Sequence, residues 1–246
     1  MMESSGSGVQ SVERAFALLE ALAEEGGDAS LASLAAATGL AVPTAHRLLR
    51  TMRSLGYVEQ AEGRRYALGP GLIGLGRHAA PPLAVDAAPL LQHLEELFHE
   101  TANLAVLDGD LVLYVAQVAS RHRMRMFTEV GRRVLPHSAG VGKAMLSTMP
   151  EPRVRDLVAR TGLPRFTDST LVTEEDLVAD LRVSRRRGFA ADDSEQEVGV
   201  RCIAVAVPGQ APPAAMSISG PAARITDRVV PDVVDALQSA AARLAG

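Results

Sequence analysis

The chain has 246 residues, 47% of them hydrophobic and 22% charged, which is globular composition and enough length for one large domain or two modest ones. No run approaches the ~20 apolar residues of a membrane-spanning helix. The polar, Gly/Ser-rich opening lacks a signal-peptide pattern, and one cysteine, Cys202, excludes an intramolecular disulfide or a multi-cysteine metal cage. A cytoplasmic protein without a membrane partner is expected. The net charge of −4 conceals an asymmetry: residues 1–42 hold six acids against Arg14, whereas residues 43–77 hold six arginines against Glu59 and Glu62. Such a basic island can engage phosphates without making the whole chain sticky.

In chain order, Val12, Ala15, Phe16, Leu19, Leu22 and Ala23 recur at helical spacing up to Gly26-Gly27. Ser30 is placed to cap a second helix that Gly39 stops. Pro43 suits the first turn of a third, whose apolar stripe is Ala45, Leu48, Leu49, Met52 and Leu55. Tyr57 to Gln60 and Arg65 to Leu68 read as a hairpin. Residues 69–82 form a connector with a short helix around Leu72 to His78 and a Pro81-Pro82 stop. An amphipathic helix follows through Leu90, Leu91, Leu94, Leu97 and Phe98, with Pro89 at its start or kinking it. Strands are expected at Asn103 to Leu107, Leu111 to Val118 and Met124 to Phe127. Helices follow over Ser138 to Thr148, Pro152 to Thr161 and Thr173 to Arg187. Strands Cys202 to Val207 and Ala214 to Ser219 precede a last helix from Ile225 to Leu244. Strands and helices without strict alternation indicate an α+β fold.

The second and third helices, with the short Gly-Leu-Ala-Val link, have helix-turn-helix spacing, which presents one face of the second helix to the DNA major groove. Opposite the apolar stripe lie Pro43, Arg47, Arg50 and Ser54, flanked by Thr44, His46 and Thr51. Arginine pairs bidentately with guanine or clamps a phosphate, and threonine contacts a thymine methyl or a backbone oxygen. Arg64 and Arg65 beside Gly63 would arm the hairpin tip as a wing. A generic three-helix unit explains each arginine singly, but not helix-turn-helix, arginine face and basic hairpin in that order.

These segments resemble the IclR family of bacterial transcriptional regulators. QSVERAFALLEALAE, LASLAAATGLAVPTAHRLLRTMRSLGYVE and RRYALGPGLIGLG are similar to its DNA-binding half. PHSAGVGKAMLS, VGVRCIAVAV and AMSISGPAARI are similar to its second half, although this chain reads Leu135-Pro136-His137 where the family usually has Pro-Leu-His. The resemblance implies a winged helix-turn-helix domain over 8–69, a linker helix over 70–82, and a GAF-like α/β effector-binding and oligomerisation domain over 83–246. It implies a homodimer or homotetramer on a palindromic double-stranded operator, more often a repressor, responding to a small organic or aromatic acid. The recognition helix would be Pro43 to Leu55. The effector site would be lined by Met124, Met126, Ala139, Gly140 and Gly142 of a small-residue loop, Asp192, Cys202, Ser217 and Ser219. Ser217 and Ser219 alternate with Ile218, so both hydroxyls face one side of a strand.

Enzyme readings are weaker, and no cofactor, metal or catalytic residue is assigned. Gly69-x-Gly71-x-x-Gly74 matches a dinucleotide fingerprint, but the prolines end its helix and no second parallel strand follows. His93-x-Glu95 lacks the Pro-Cys-x-x-Cys of zinc deaminases. Ser138 and Lys143 are five apart, not three. Lys143, the only lysine, reads either as a support for the effector loop through an ion pair or as a solvated charge. Arg182, Arg185, Arg186 and Arg187 read as the solvated end of a helix with favourable dipole pairing. The remaining rivals are an enzyme with a scaffolding N-terminus and a winged-helix module that binds protein.

Overall fold

A computed structural model describes residues 8–79, 81–124 and 128–246. The chain divides into two compact units, one up to residue 80 and one from Pro81. The first unit contains α1 (Gln10–Glu24), β1 (Asp28–Ala29), α2 (Leu31–Thr38), α3 (Val42–Ser54), β2 (Val58–Gln60), β3 (Tyr66–Leu68) and α4 (Gly71–Ala79). The Ser30 side chain accepts from the Ser33 amide, and Gly39 closes α2 in the left-handed region, as its lack of a Cβ permits. The core joins Leu18, Leu22, Leu34, Ala45, Leu49 and Met52 to Val58 and Tyr66. The helical stripe of α1 is rotated from the expected one: Leu18, Ala21 and Leu22 are buried, while Val12 and Phe16 are exposed. Leu55 at the end of α3 is exposed too. The two-residue β1 was too short to show a period. It completes a three-stranded antiparallel sheet in the order β1-β3-β2.

The second unit contains α5 (Pro82–Phe98), β4 (Thr101–Asp108), β5 (Leu111–Val118), β6 (Arg133–Val134), α6 (Gly140–Thr148), α7 (Glu151–Thr161), α8 (Glu174–Arg187), β7 (Ala190–Asp193), β8 (Val200–Val207), β9 (Ala214–Pro221) and α9 (Val230–Ala245). α4 ends at Ala79, ahead of Pro81-Pro82 as expected, and Pro82 also opens α5, since its fixed φ suits a first turn, while Pro89 lies inside that helix. The strands form one antiparallel sheet in the order β6-β5-β4-β9-β8-β7. One face carries Leu104, Ile203, Met216 and Ile218 under α5 and α9. The other carries Ala105, Tyr114, Cys202, Ala204 and Ala215 under α6, α7 and α8. Alternation along each strand therefore sorts side chains into two cores, one on each side. Most of the expected strand Met124 to Phe127 lies outside the described residues.

Candidate DNA interface and effector site

The turn between α2 and α3 is set by left-handed Gly39 and by Ala41, the residue before α3, with Pro43 in the first turn. Ala45, Leu49 and Met52 anchor α3 inward, which leaves Pro43, His46, Arg47, Arg50 and Thr51 exposed and Thr44 half-buried. The Arg47 and Arg50 side chains have no hydrogen-bond or ion-pair partner among the described residues, whereas Arg53 donates to Gln60 at 2.5 Å. Thr51 Oγ1 is turned to the Arg47 carbonyl at 3.1 Å. At the hairpin, Arg64 is exposed and adopts a positive φ of 62°, next to left-handed Gly63. Arg65 is engaged: its Nε and Nη2 donate to the Asp28 carboxylate and carbonyl, both at 2.8 Å. That pair ties β3 to β1, so the hairpin base is braced, while the Arg64 guanidinium at its tip is exposed and has no partner among the described residues.

In the second unit, register brings distant residues into rows on the α6 face of the sheet. Asn103 lies opposite Ser217 and Gln117, Thr101 opposite Ser219, Cys202 opposite Ser219, and Asp192 opposite Cys202. Asn103 Nδ2 donates to Ser217 Oγ at 3.4 Å and to Ser219 Oγ at 3.5 Å, so both hydroxyls do face one side. Gln117 Nε2 and Thr128 Oγ1 each reach Asn103 Oδ1 at 3.1 Å. The Asp192 carboxylate accepts the amides of Glu195 at 2.7 Å and Gln196 at 3.3 Å. Burial pushes the Cys202 thiol up to about 11, so it is a neutral wall.

The start of α6 covers this row. Ala139 and Gly140 are buried, and a Cβ on Gly140 would stand 2.7 Å from Cys202 Sγ. Gly142 is pressed on the other side, where a Cβ would collide with the carbonyl and Cα of Pro136. Both glycines are thus needed for close approach rather than for φ. Gly142→Ala is expected to lower stability by about 1–3 kcal/mol through overpacking against backbone. A reduced urea midpoint at unchanged slope checks this.

Comparison with known proteins shows the same two-part order. Residues 11–62 match the IclR helix-turn-helix domain, and residues 80–245 match the bacterial transcriptional regulator IclR C-terminal domain. The chain belongs to the IclR family. Among its relatives, the transcriptional repressor IclR of Escherichia coli K12 is 39% identical over 226 residues, 89% of this chain and 82% of that protein. Of solved structures, the IclR regulator from Alicyclobacillus acidocaldarius superposes with TM-score 0.87 at 28% identity, covering 97% of this chain and 98% of that one. An IclR homolog from Microbacterium hydrocarbonoxydans, complexed with 4-hydroxybenzoate, superposes with TM-score 0.83 at 25% identity, covering 95% and 97%. The protein is a DNA-binding transcriptional regulator of this family. No described helix is long and apolar enough to cross a membrane.

Within this IclR-family chain, six of the expected effector residues converge: Ala139, Gly140, Asp192, Cys202, Ser217 and Ser219 sit around one end of the sheet, all buried. Gly142, in the same first turn of α6, faces Pro136 instead. Met124 is not brought in, since its side chain is 73% exposed and its carbonyl accepts from Arg224. Met126 lies outside the described residues. Asn103, Gln117, Thr128 and Glu195 belong to the cluster and were missed. Gln117 reaches the face through a bulge between Leu104 and Ala105, where β5 gains one residue and its alternation flips. Lys143 is no solvated charge: it is 1% exposed and paired with Glu195 at 2.5 Å. The Arg182 to Arg187 tract is also more than a solvated helix end. Arg182 pairs with Glu151, and Arg185 donates to the carbonyls of Ser147 and Met149, both at 2.6 Å.

Proposed function

We propose that the protein is a cytoplasmic repressor that reads a palindromic operator through α3 and the hairpin, and releases it on binding a small carboxylic acid. The observation that carries this reading is the arginine face of α3, whose Arg47 and Arg50 are exposed and unpartnered among the described residues. Exposed arginines left unpaired on a helix-turn-helix are suited to base edges and phosphates. The domain division is residues 8–69 for DNA, 70–82 as linker and 83–246 for effector and assembly. A homodimer or homotetramer matches operator symmetry. The exposed Val9, just before α1, and Val12 and Phe16 on it give the assembly an apolar stripe to bury. Repression is supported by the names of the relatives, among them the acetate operon repressor of Salmonella typhimurium. An acid effector is supported by the 4-hydroxybenzoate complex of the Microbacterium homolog. The wall of buried hydroxyl, amide and thiol groups around Ser217 and Ser219 fits such a ligand. This function requires neither catalysis nor a cofactor.

The test begins with selection of bound DNA from a random pool, using the full chain. Small acids are then titrated against the selected complex. Ser217→Ala/Ser219→Ala is expected to keep the effector-free affinity and to blunt the shift that acids cause, because a ligand moves an equilibrium only by its differential affinity for two states. A wild-type shift in that variant removes Ser217 and Ser219 from the site. Failure to enrich any sequence removes the regulator's operator.

A further inference from the structure

Behind the effector cluster lies a buried charge system. Lys143 Nζ is 2.5 Å from Glu195 Oε1 and 3.3 Å from Asp180 Oδ2. Glu195 follows β7, and its amide, together with that of Gln196, holds Asp192 Oδ1. The ion pair therefore fastens the loop that wraps Asp192 to α6, whose first turn forms the other wall of the effector site. Asp192 is 1% exposed, and no hydrogen bond reaches its Oδ2 among the described residues. The charged and titratable groups facing it are Glu195 from the loop, Lys143 from α6, Cys202 from β8 and Tyr114 from β5. Asp180 of α8 is the second carboxylate on Lys143, and its charge also acts on Glu195. Among the described residues that act on Asp192, one cation, Lys143, thus serves three carboxylates, two of which it already contacts.

An acid effector would bring a further negative charge into this enclosure. Two ionised carboxylates side by side in a low-dielectric site are strongly unfavourable unless one of them holds a proton. Resting on the effector-site reading above, we propose that Asp192 is the specificity-determining group of that site. It binds a monocarboxylate by holding a proton on Oδ2 and donating it, with the Lys143–Glu195 pair as the positioning device. In the balance, ionised Asp192, effector anion and one proton from solvent give a carboxyl–carboxylate hydrogen bond, with no covalent change. The same enclosure prepares Asp192 for this. Burial pushes its carboxyl up to about 7 and the Glu195 charge pushes the same way, against the backbone amides of Glu195 and Gln196 and the Lys143 charge. A neutral amide, which needs no compensating proton, gains nothing from the arrangement.

The sign of the linkage follows. Below the free-site value Asp192 is already protonated and binding is flat; above it, each complex must take up a proton and affinity falls about tenfold per pH unit. The experiment is calorimetric titration of the full chain with benzoate, 4-hydroxybenzoate, acetate and lactate, each beside its amide. It is run at about pH 6 and about pH 8.5, in two buffers of different ionisation heat. Acids are expected to bind roughly thirty-fold more weakly at the higher pH, with uptake approaching one proton. Asp192→Asn, a fixed amide donor, is expected to bind acids alike at both pH values. Glu195→Gln is expected to move the break to lower pH. Equal acid affinity at both pH values, or no proton uptake, overturns the proposal, as does binding of amides but not acids. The proton count on the wild-type chain decides the matter even where a variant does not fold. If Ser217→Ala/Ser219→Ala still blunts the acid response while no proton is taken up, the effector site stands and only the role of Asp192 falls. If no acid binds at either pH, both fall.

Discussion

Arg47→Ala/Arg50→Ala is expected to remove operator discrimination, with a combined loss of about 2–6 kcal/mol in operator affinity. Each residue contributes about 1–3 kcal/mol where it reads a base edge, and the two stand on one exposed face of the helix. Neither side chain has a partner among the described residues, so its removal opens no cavity and breaks no ion pair. The folded stability of the variant is therefore expected to match the parent, which separates this loss from misfolding. Arg64→Ala serves as the contrast. A hairpin-tip guanidinium meets the DNA backbone, so it is expected to weaken random and selected DNA by similar factors and to flatten the salt slope. Gel-shift titrations of parent and variants on both DNAs, at several salt concentrations, make the distinction. Undiminished discrimination in the double variant would remove α3 as the reading helix.

The helices of the DNA-binding half were legible because their ends are marked by specific residues. Ser30, Gly39 and Pro43 each do in the structure what their backbone preferences require, and the Ala45/Leu49/Met52 stripe fixes which face of α3 is free. What was misjudged followed from period alone. Val12 and Phe16 have helical spacing, but spacing does not say which of two adjacent apolar stripes meets the core, and Leu18 with Ala21 won. In the second unit the long strands were visible, whereas β6 and β7 were not. Ala190–Asp193 is short and ends in two carboxylates, so it carries neither alternation nor β-branched residues. Yet β7 brings Asp192 beside Cys202.

The effector cluster shows a second limit. Ser217 and Ser219 were legible as a same-face pair within one strand. Asn103, which joins them, and Gln117, which joins Asn103, come from strands at least a hundred residues earlier, and the β5 bulge hides the phase of Gln117. Polar residues inside apolar strands were the available signal. Lys143 was conspicuous as the only lysine, but burial cannot be read from a helix made of small residues on every side. All of Gly140 to Ser147 is buried, so α6 has no solvent face over that stretch. A charge placed there has to find its partners indoors.

That placement makes Lys143→Met the variant with the largest expected cost in stability, about 3–5 kcal/mol near neutral pH. The methionine fills a similar volume, so packing is nearly conserved and the loss is electrostatic. It leaves the Glu195 side chain, 10% exposed, and the Asp180 side chain, 28% exposed, facing each other without their cation. Already in the parent, burial holds the Glu195 carboxyl above its ordinary value while Lys143 pulls it back; without Lys143 it rises further. A carboxyl whose folded value lies above its unfolded one costs nothing while both states are protonated, and the cost grows as pH rises towards the folded value. The deficit of the variant is therefore expected to be small near pH 4 and full at neutral pH. Adding Glu195→Gln removes one stranded charge, so the double variant is expected to regain part of the loss, and the non-additivity measures the pair. Because the chain has no tryptophan, urea unfolding is followed by far-ultraviolet circular dichroism at both pH values. A deficit that is equal at acid and neutral pH would mean that Lys143 acts through the packing of its stem, not through its charge.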